Sequence, residues 1–513
     1  LYLDTKTTCT SIYNLFLRDK KNPSFRILFF CDLENHKTHI LANDFSFPKV
    51  YRQVTGKFCC FFLILRLICE INHNCIHFIL SVKFCRIIIS VYFFVANTLF
   101  TSADTEYITA SDSAVIQKQS VIREKNDICH FGYGGSAGIY YHFNREVDGA
   151  NLVKSYMGSF YSLSMNYRAL EQDSSVYDMA YGLPTINFGV MFGYLSHIKM
   201  HGNMPEADYN SHLGNQYTAY LAMHRDFLRR GRWSMGFSME NGISLTTKHY
   251  NKHNNVHNRF IGSNFSIYFG AGIYAKYIIN PHFDIAMGLN FKHFSNSAMD
   301  RPNLGSNMMG IQAYVNYFPS PILTQPRKLA YTLPKVKPDF YLDLSVGWEG
   351  KTLQEEWNYN ETLPPSDPNY FTGHYRVRTL WNTSLAAMFR YNVKYASGLA
   401  LDYSYATYSN IINRIQKNEG IIGHSSYRHV LGVSLRHEVF YKQMSLTMNL
   451  GMYPYRHMGT LNKHLIYETV GLRWYPKSWH NFYISYMVKA HGMRADGLQL
   501  NLGYRILRRN KLF

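Results

Sequence analysis

Beyond residue 130 the apolar residues of this sequence recur at every second position, and few folds tolerate that pattern over so long a stretch. In 340–349, Phe340, Leu342, Leu344, Val346 and Trp348 alternate with Tyr341, Asp343, Ser345, Gly347 and Glu349. In 444–453, Met444, Leu446, Met448, Leu450 and Met452 alternate with Ser445, Thr447, Asn449, Gly451 and Tyr453. In 498–505, Leu498, Leu500, Leu502 and Tyr504 alternate with Gln499, Asn501, Gly503 and Arg505. A period of two is the period of a β-strand, whose successive side chains point to opposite faces. Segments of about ten residues with one apolar and one polar face, repeated many times, are the signature of a transmembrane barrel. A soluble β-sandwich alternates too, so composition has to separate them. Aromatics make up 16% of the chain, with 42 Tyr and 34 Phe, against 17% charged residues. That mix suits strands with one side in lipid. The expected fold class is therefore all-β: a transmembrane antiparallel β-barrel of outer-membrane type. Such a sheet must close, because an open edge in hydrocarbon would leave N–H and C=O groups unpaired.

Strands are expected near 154–167, 185–197, 213–224, 232–246, 261–278, 283–293, 308–318, 340–349, 379–393, 398–409, 428–440, 444–453, 464–475, 481–489 and 496–507, with 131–142 in doubt. Short turns at 279–282, 394–398, 441–443 and 476–480 alternate with long polar loops at 247–260, 294–307, 350–376 and 410–427. In such barrels short turns face the periplasm and long loops face outward. With both termini periplasmic, the expectation is 14 or 16 strands. A proline-bearing connection at 319–339 separates residues 131–318 from a second set of strands at 340–513. It reads either as a periplasmic turn within one wide barrel or as a linker between two smaller ones, and the first is preferred.

The first hundred residues read differently. Seven of the eight cysteines lie there, and Cys129 is the only one beyond. A basic stretch around Lys83 and Arg86 precedes an apolar run and the small residues Thr101, Ser102 and Ala103, the layout of a secretory signal peptide over 82–103. A transmembrane helix around 77–100 is the alternative. On the first reading residues 1–81 are an upstream extension and 104–130 a periplasmic N-terminal segment. The net charge of +19 points to an anionic lipid surface rather than to nucleic acid. No Walker loop, Rossmann fingerprint or zinc-protease motif occurs in the barrel region, so no cofactor is expected.

The segment 283–293 puts Phe283, Ile285, Met287, Leu289 and Phe291 on one face, and His293 and Ser295 continue that phase. Asn307 precedes Met309, Ile311, Ala313, Val315 and Tyr317 in the same register of the next strand. Three polar side chains thus fall on the lipid-facing wall at the outer end of a hairpin, where polar groups are costly unless paired or used. A His beside a Ser can take its proton, and a third group can fix the imidazole tautomer. A hydrogen-bonded pair at the membrane rim is the plainer reading. His249, His253 and His257 are spaced by four, which on a helix would align metal ligands; in an Asn-rich outer loop they read as solvated, and no metal is expected.

Residues 293–307, HFSNSAMDRPNLGSN, resemble the active-site segment of the PagL-type lipid A 3-O-deacylases, the acyloxyacyl hydrolases. His293, Ser295, Asn296, Pro302, Asn303 and Gly305 match that segment in spacing, and 246–266 resembles the family's preceding loop and strand. The resemblance spans about 185–318 and says nothing of 340–513. It implies a carboxylic ester hydrolase with Ser295 as nucleophile and His293 as general base. The third position falls on Asn307, where a Glu is expected; an Asn oxygen can orient the imidazole but brings no charge to an imidazolium. Asn296 and Asn303 are candidate oxyanion donors. Lys248, Lys252, Arg259 and Arg301, in the two outer loops flanking the site, are candidates for lipid A phosphates. The expected partners are lipid A or lipopolysaccharide in the outer leaflet and the barrel assembly machinery that would insert the chain in the Gram-negative outer membrane. The alternatives are an outer-membrane phospholipid esterase, or a porin-like channel with a decayed deacylase motif.

Overall fold

The structure is a computed structural model. It describes residues 130–507 apart from 145, 148–150, 154, 171–174, 203–209, 322–330, 332, 334–337, 422–424 and 459–464, together with strands Ile12–Leu17, Arg26–Leu33 and His36–Lys37. Those three strands form an antiparallel sheet in a unit of their own, Leu1–Ile88. The signal-peptide reading at 82–103, its helical alternative and segment 104–129 lie outside the described residues. Among the described residues no helix is long and apolar enough to cross a membrane.

Sixteen long strands carry the alternation. The first eight are β1 (Phe131–His142), β2 (Met157–Arg168), β3 (Thr185–Tyr194), β4 (Gln216–Arg230), β5 (Trp233–Thr246), β6 (Phe265–Ile278), β7 (Phe283–Ser295) and β8 (Ser306–Tyr317). Then come β9 (Asp339–Lys351), β10 (Arg378–Arg390), β11 (Tyr395–Ala406), β12 (His429–Tyr441), β13 (Met444–Arg456), β14 (Ile466–Trp474), β15 (Phe482–His491) and β16 (Arg494–Leu507). They do not close one wide barrel. β8 pairs with β1, and β16 pairs with β9, so the chain forms two closed antiparallel barrels of eight strands. The preference for a single barrel is thereby corrected, and 319–339 connects two barrels. Alternation along a strand counts strands, but closure depends on which distant strand satisfies an edge, and that choice leaves no local mark.

The doubtful stretch at 131–142 is the strand that closes the first barrel. Its glycines weaken the alternation for a packing reason: a Cβ on Gly138 would lie 2.9 Å from the Tyr140 ring, and one on Gly134 2.6 Å from the Asn166 amide. The short turn expected at 394–398 falls earlier, because Asn392 Oδ1 accepts the N–H groups of Lys394 and Tyr395 at 2.8 and 2.9 Å and releases the chain into β11. Two of the long loops contain helices, α2 (Gln354–Glu361) and α3 (Ser409–Asn418); a short α1 (Val176–Ala180) lies between β2 and β3.

Both walls are apolar outside and polar inside. Ile285, Met287, Leu289, Ile311 and Val315 are exposed on the first barrel, as are Leu342, Val346, Leu399 and Leu401 on the second. In the first lumen Lys292 Nζ lies 3.3 Å from Glu240 and donates to Tyr268 Oη at 2.9 Å. In the second, Asp343 accepts from Arg436 at 2.9 Å, Arg473 at 3.1 Å and Tyr483 at 2.7 Å. Removing one partner from such a buried pair typically costs ~3–5 kcal/mol. Eight strands leave just enough interior for side chains to fill. The large size that suited a porin-like channel is thus divided between two narrow, side-chain-filled barrels.

The barrels touch at both ends. On the short-turn side Tyr181 Oη donates to Phe440 O at 2.9 Å and Tyr441 Oη donates to Asp178 at 2.6 Å. On the long-loop side Arg259 pairs with Glu361, and Tyr250 Oη donates to Phe371 O at 2.6 Å.

Candidate active site

The hairpin of β7 and β8 fixes the geometry. Its register sets His293 directly opposite Asn307. The side chains meet, with His293 Nδ1 2.7 Å from Asn307 Oδ1. An amide oxygen only accepts, so Nδ1 carries the proton and Nε2 keeps its lone pair, the tautomer a general base needs. Gly305, at φ 74°, lets the backbone approach this ring: a Cβ there would lie 2.7 Å from His293 Cε1. The glycine of the sequence motif therefore has a steric reason.

Ser295 is two residues further along the same face and only 6% exposed. Its Oγ accepts from Asn303 Nδ2 at 2.9 Å and from the Ser297 N–H at 3.3 Å. Among the described residues no hydrogen bond joins Ser295 to His293. Positions i and i+2 of an extended strand stand roughly 6.7 Å apart, and the returning loop 296–305 captures the hydroxyl instead. The structure thus unites His293 with Asn307 and Ser295 with Asn303, as two adjacent pairs.

The oxyanion candidates separate. Asn303 presents its amide to Ser295 Oγ. Asn296 does not: its Nδ2 donates to Ser263 Oγ at 3.1 Å and Asp300 O at 3.3 Å, and its backbone N–H donates to Asn303 Oδ1 at 3.1 Å. Asn296 anchors the loop. The Ser297 N–H was missed, since a backbone donor has no side-chain signature. It points at Ser295 because Ser297 and Ala298 adopt φ 54° and 61°. Two consecutive non-glycine residues in the left-handed region cost about 1–2 kcal/mol each and persist only where the surroundings over-determine them.

The cations also separate. Arg301 is 9% exposed, donating through Nη1 to Gln354 Oε1 at 2.5 Å and through Nη2 to Thr352 O at 3.4 Å. Burial pulls its guanidinium pKa down. Arg259 is paired with Glu361 and lies over the Trp357 ring at 5.6 Å. Both contact residues of the second barrel. Lys252, half-buried, also reaches the second barrel, donating to Pro368 O at 2.9 Å, and Lys248 is half-buried. Asp300 is pushed up to about 6 by burial, against the opposing pull of the Arg301 N–H, His374 and Arg301. His249, His253 and His257 do not share a helix face, since a bridge between Asn251 and Asn255 folds this stretch into turns.

The matching hairpin of the second barrel, β15 to β16, turns at 492–493. Its His491 points inward, 2.9 Å from Tyr453 Oη and 3.5 Å from Asp496.

Residues 365–510 match the family model for the acyloxyacyl hydrolase C-terminal domain. Over that segment the chain is similar to the acyloxyacyl hydrolases. The match takes in β10 through β16, whereas the motif resemblance lies in the first barrel. The PagL-type likeness read at 185–318 and the family match at 365–510 fall on different barrels. No curated protein matches. Among solved structures, CdiB from Acinetobacter baumannii is similar at 12% identity and a TM-score of 0.16, covering 74% of this chain and 60% of its own. This chain thus spans about three fifths of CdiB. A double mutant of the Rhodopseudomonas blastica porin is similar at 7% identity and a TM-score of 0.13, covering 73% of this chain and 99% of its own. Overlaps that low carry no weight, and the fold rests on the strand pairing.

Proposed function

We propose that this chain is an outer-membrane ester hydrolase that removes an acyl chain from lipid A, at the 3-O position, with Ser295 as nucleophile, His293 as base and Asn307 as the orienting group. The observation that carries the reading is the His293–Asn307 pair beside Ser295 at the outer end of an apolar, outward-facing hairpin. A hydrolytic site on a lipid-facing wall serves a substrate that is itself a membrane lipid, with its ester at the interface. The likeness to the acyloxyacyl hydrolases supports the hydrolase class.

In the reaction, rotation of the Ser295 side chain toward Nε2 of His293 lets the imidazole take its proton as Oγ attacks the ester carbonyl. Asn303 Nδ2 and the Ser297 N–H, already within reach of Oγ, are placed to donate to the oxyanion. Collapse expels the lipid alkoxide, which takes the proton from His293. Water, deprotonated by the same imidazole, then cleaves the acyl-enzyme and returns Ser295 to its hydroxyl. Lys248 and Lys252, both partly exposed in the outer loop, are the cations to meet a lipid A phosphate.

Mass spectrometry of lipid A from cells expressing the wild type or Ser295→Ala tests this. Loss of one 3-O-linked acyl chain with the wild type alone is the expected result. Unchanged lipid A together with Ser295-dependent release of fatty acid from phospholipid would transfer the activity to a phospholipid substrate.

A further inference from the structure

The loop between β7 and β8 is not held by its own barrel alone. Thr352, fully buried just beyond β9 of the second barrel, donates twice to Ala298 O: through its N–H at 2.8 Å and its Oγ1 at 2.9 Å. Its own carbonyl accepts from Arg301 Nη2, and Gln354 receives Nη1 of the same guanidinium. Met299 lies against Gly350, where a Cβ would come within 3.0 Å of its sulfur. The second barrel thus grips loop 296–305 at Ala298, Met299 and Arg301.

Ala298 is the second of the two left-handed residues, and the first, Ser297, aims its N–H at Ser295 Oγ. Left alone, this pair would relax to right-handed or extended backbone and turn the N–H away. Two hydrogen bonds on one carbonyl oppose that relaxation where it would begin. On these grounds we infer that Thr352 is a positioning residue for the reactive loop of the other barrel, and that the second barrel completes the site of the first. The inference rests on the hydrolase reading for its catalytic consequence. Its structural content, a loop conformation fixed by Thr352, stands apart.

The test uses the full chain purified in detergent as wild type, Thr352→Val, Thr352→Ser and Ser295→Ala, with lipid A micelles as substrate. Two quantities are measured: steady-state hydrolysis and amide hydrogen exchange over 296–300. Thr352→Val keeps the backbone bond and loses the hydroxyl, so kcat should fall about fivefold to tenfold with KM unchanged. Exchange at Ser297 and Ala298 should quicken, and Thr352→Ser should restore both. Heat-modifiable mobility verifies that each variant is folded. Wild-type kcat and exchange in Thr352→Val would overturn the inference, as would a rise in KM alone. A wild type with no Ser295-dependent hydrolysis, but faster exchange in Thr352→Val, would sink the hydrolase reading and keep the clamp.

Discussion

The two barrels share strand number, strand order and closure, yet their last hairpins have diverged in opposite senses. Between β7 and β8 the chain makes the loop 296–305, with His293 on the outward face and Ser295 under the loop. Between β15 and β16 it turns at once, and His491 faces the lumen, bonded to Tyr453 and near Asp496. One histidine, beside a serine, has no bonded partner at Nε2 among the described residues; the other is built into an interior network. A barrel wall tolerates either arrangement, since neither alters the ladder. What a hairpin can do thus depends on the side its polar residues take and on the length of chain joining its strands.

The largest expected contrast comes from exchanging roles between these histidines. His293→Ala and Ser295→Ala should each lower turnover of lipid A by about a thousandfold or more, because base and nucleophile act as one unit. His491→Gln should leave turnover unchanged. A loss at His491 as deep as at His293, measured on folded protein, would move the chemistry to the second barrel.

Asn307 sharpens the comparison next. Asn307→Ala should slow hydrolysis by about tenfold to a hundredfold, less than His293→Ala, since it removes orientation but no charge. Asn307→Glu should hold or raise kcat by stabilising the imidazolium. A dead Asn307→Glu beside a fully active Asn307→Ala would place the orienting group elsewhere.

The cations should divide as their burial does, with Arg301 buried and Lys252 partly exposed. Lys252→Gln should raise KM a few-fold for bisphosphorylated lipid A and less for a dephosphorylated analogue. Arg301→Gln should lower kcat on both equally, because its guanidinium holds Gln354 and Thr352. Equal effects of Lys252→Gln on the two substrates would mark it as a solvated rim.

The smallest effect is on stability. Burial raises the Asp300 carboxyl from 3.8 to about 6, so between those values the folded protein binds a proton more readily than the unfolded chain. Stability therefore falls as pH climbs from about 4 to 6, and the penalty is complete above the folded value. The group is partly solvated, so the penalty is on the order of 1 kcal/mol. Asn cannot ionise, and Asp300→Asn should raise Tm at pH 7.5 but not at pH 4. Equal shifts at both pH values would attribute the gain to packing.

Period two made the strands legible, and its phase put His293 and Asn307 on one wall, where the register sets them opposite each other. β1 was obscured because its glycines make room for Tyr140 of the same strand and the Asn166 amide of its neighbour β2. The division into two barrels was illegible because the pairing of β8 with β1 joins residues far apart in the chain. The partners of Arg301 and Arg259 were illegible because Gln354 and Glu361 belong to a distant loop. Ser295 was expected beside His293, and what intervened was Asn303, whose amide reaches back across the loop.

The closure of each barrel at eight strands has a further consequence, one of parity. A chain that crosses a bilayer an even number of times leaves on the side where it entered. The connection after β8 therefore begins and ends on one side, and the second barrel starts upward as the first did. With seven or nine strands in the first barrel, the second would be inverted, and its β9–β10 loop would lie a full membrane thickness from Ala298. The meeting of Thr352 with the reactive loop is thus available only to an even count, and the gain or loss of a single strand would abolish it without touching either residue.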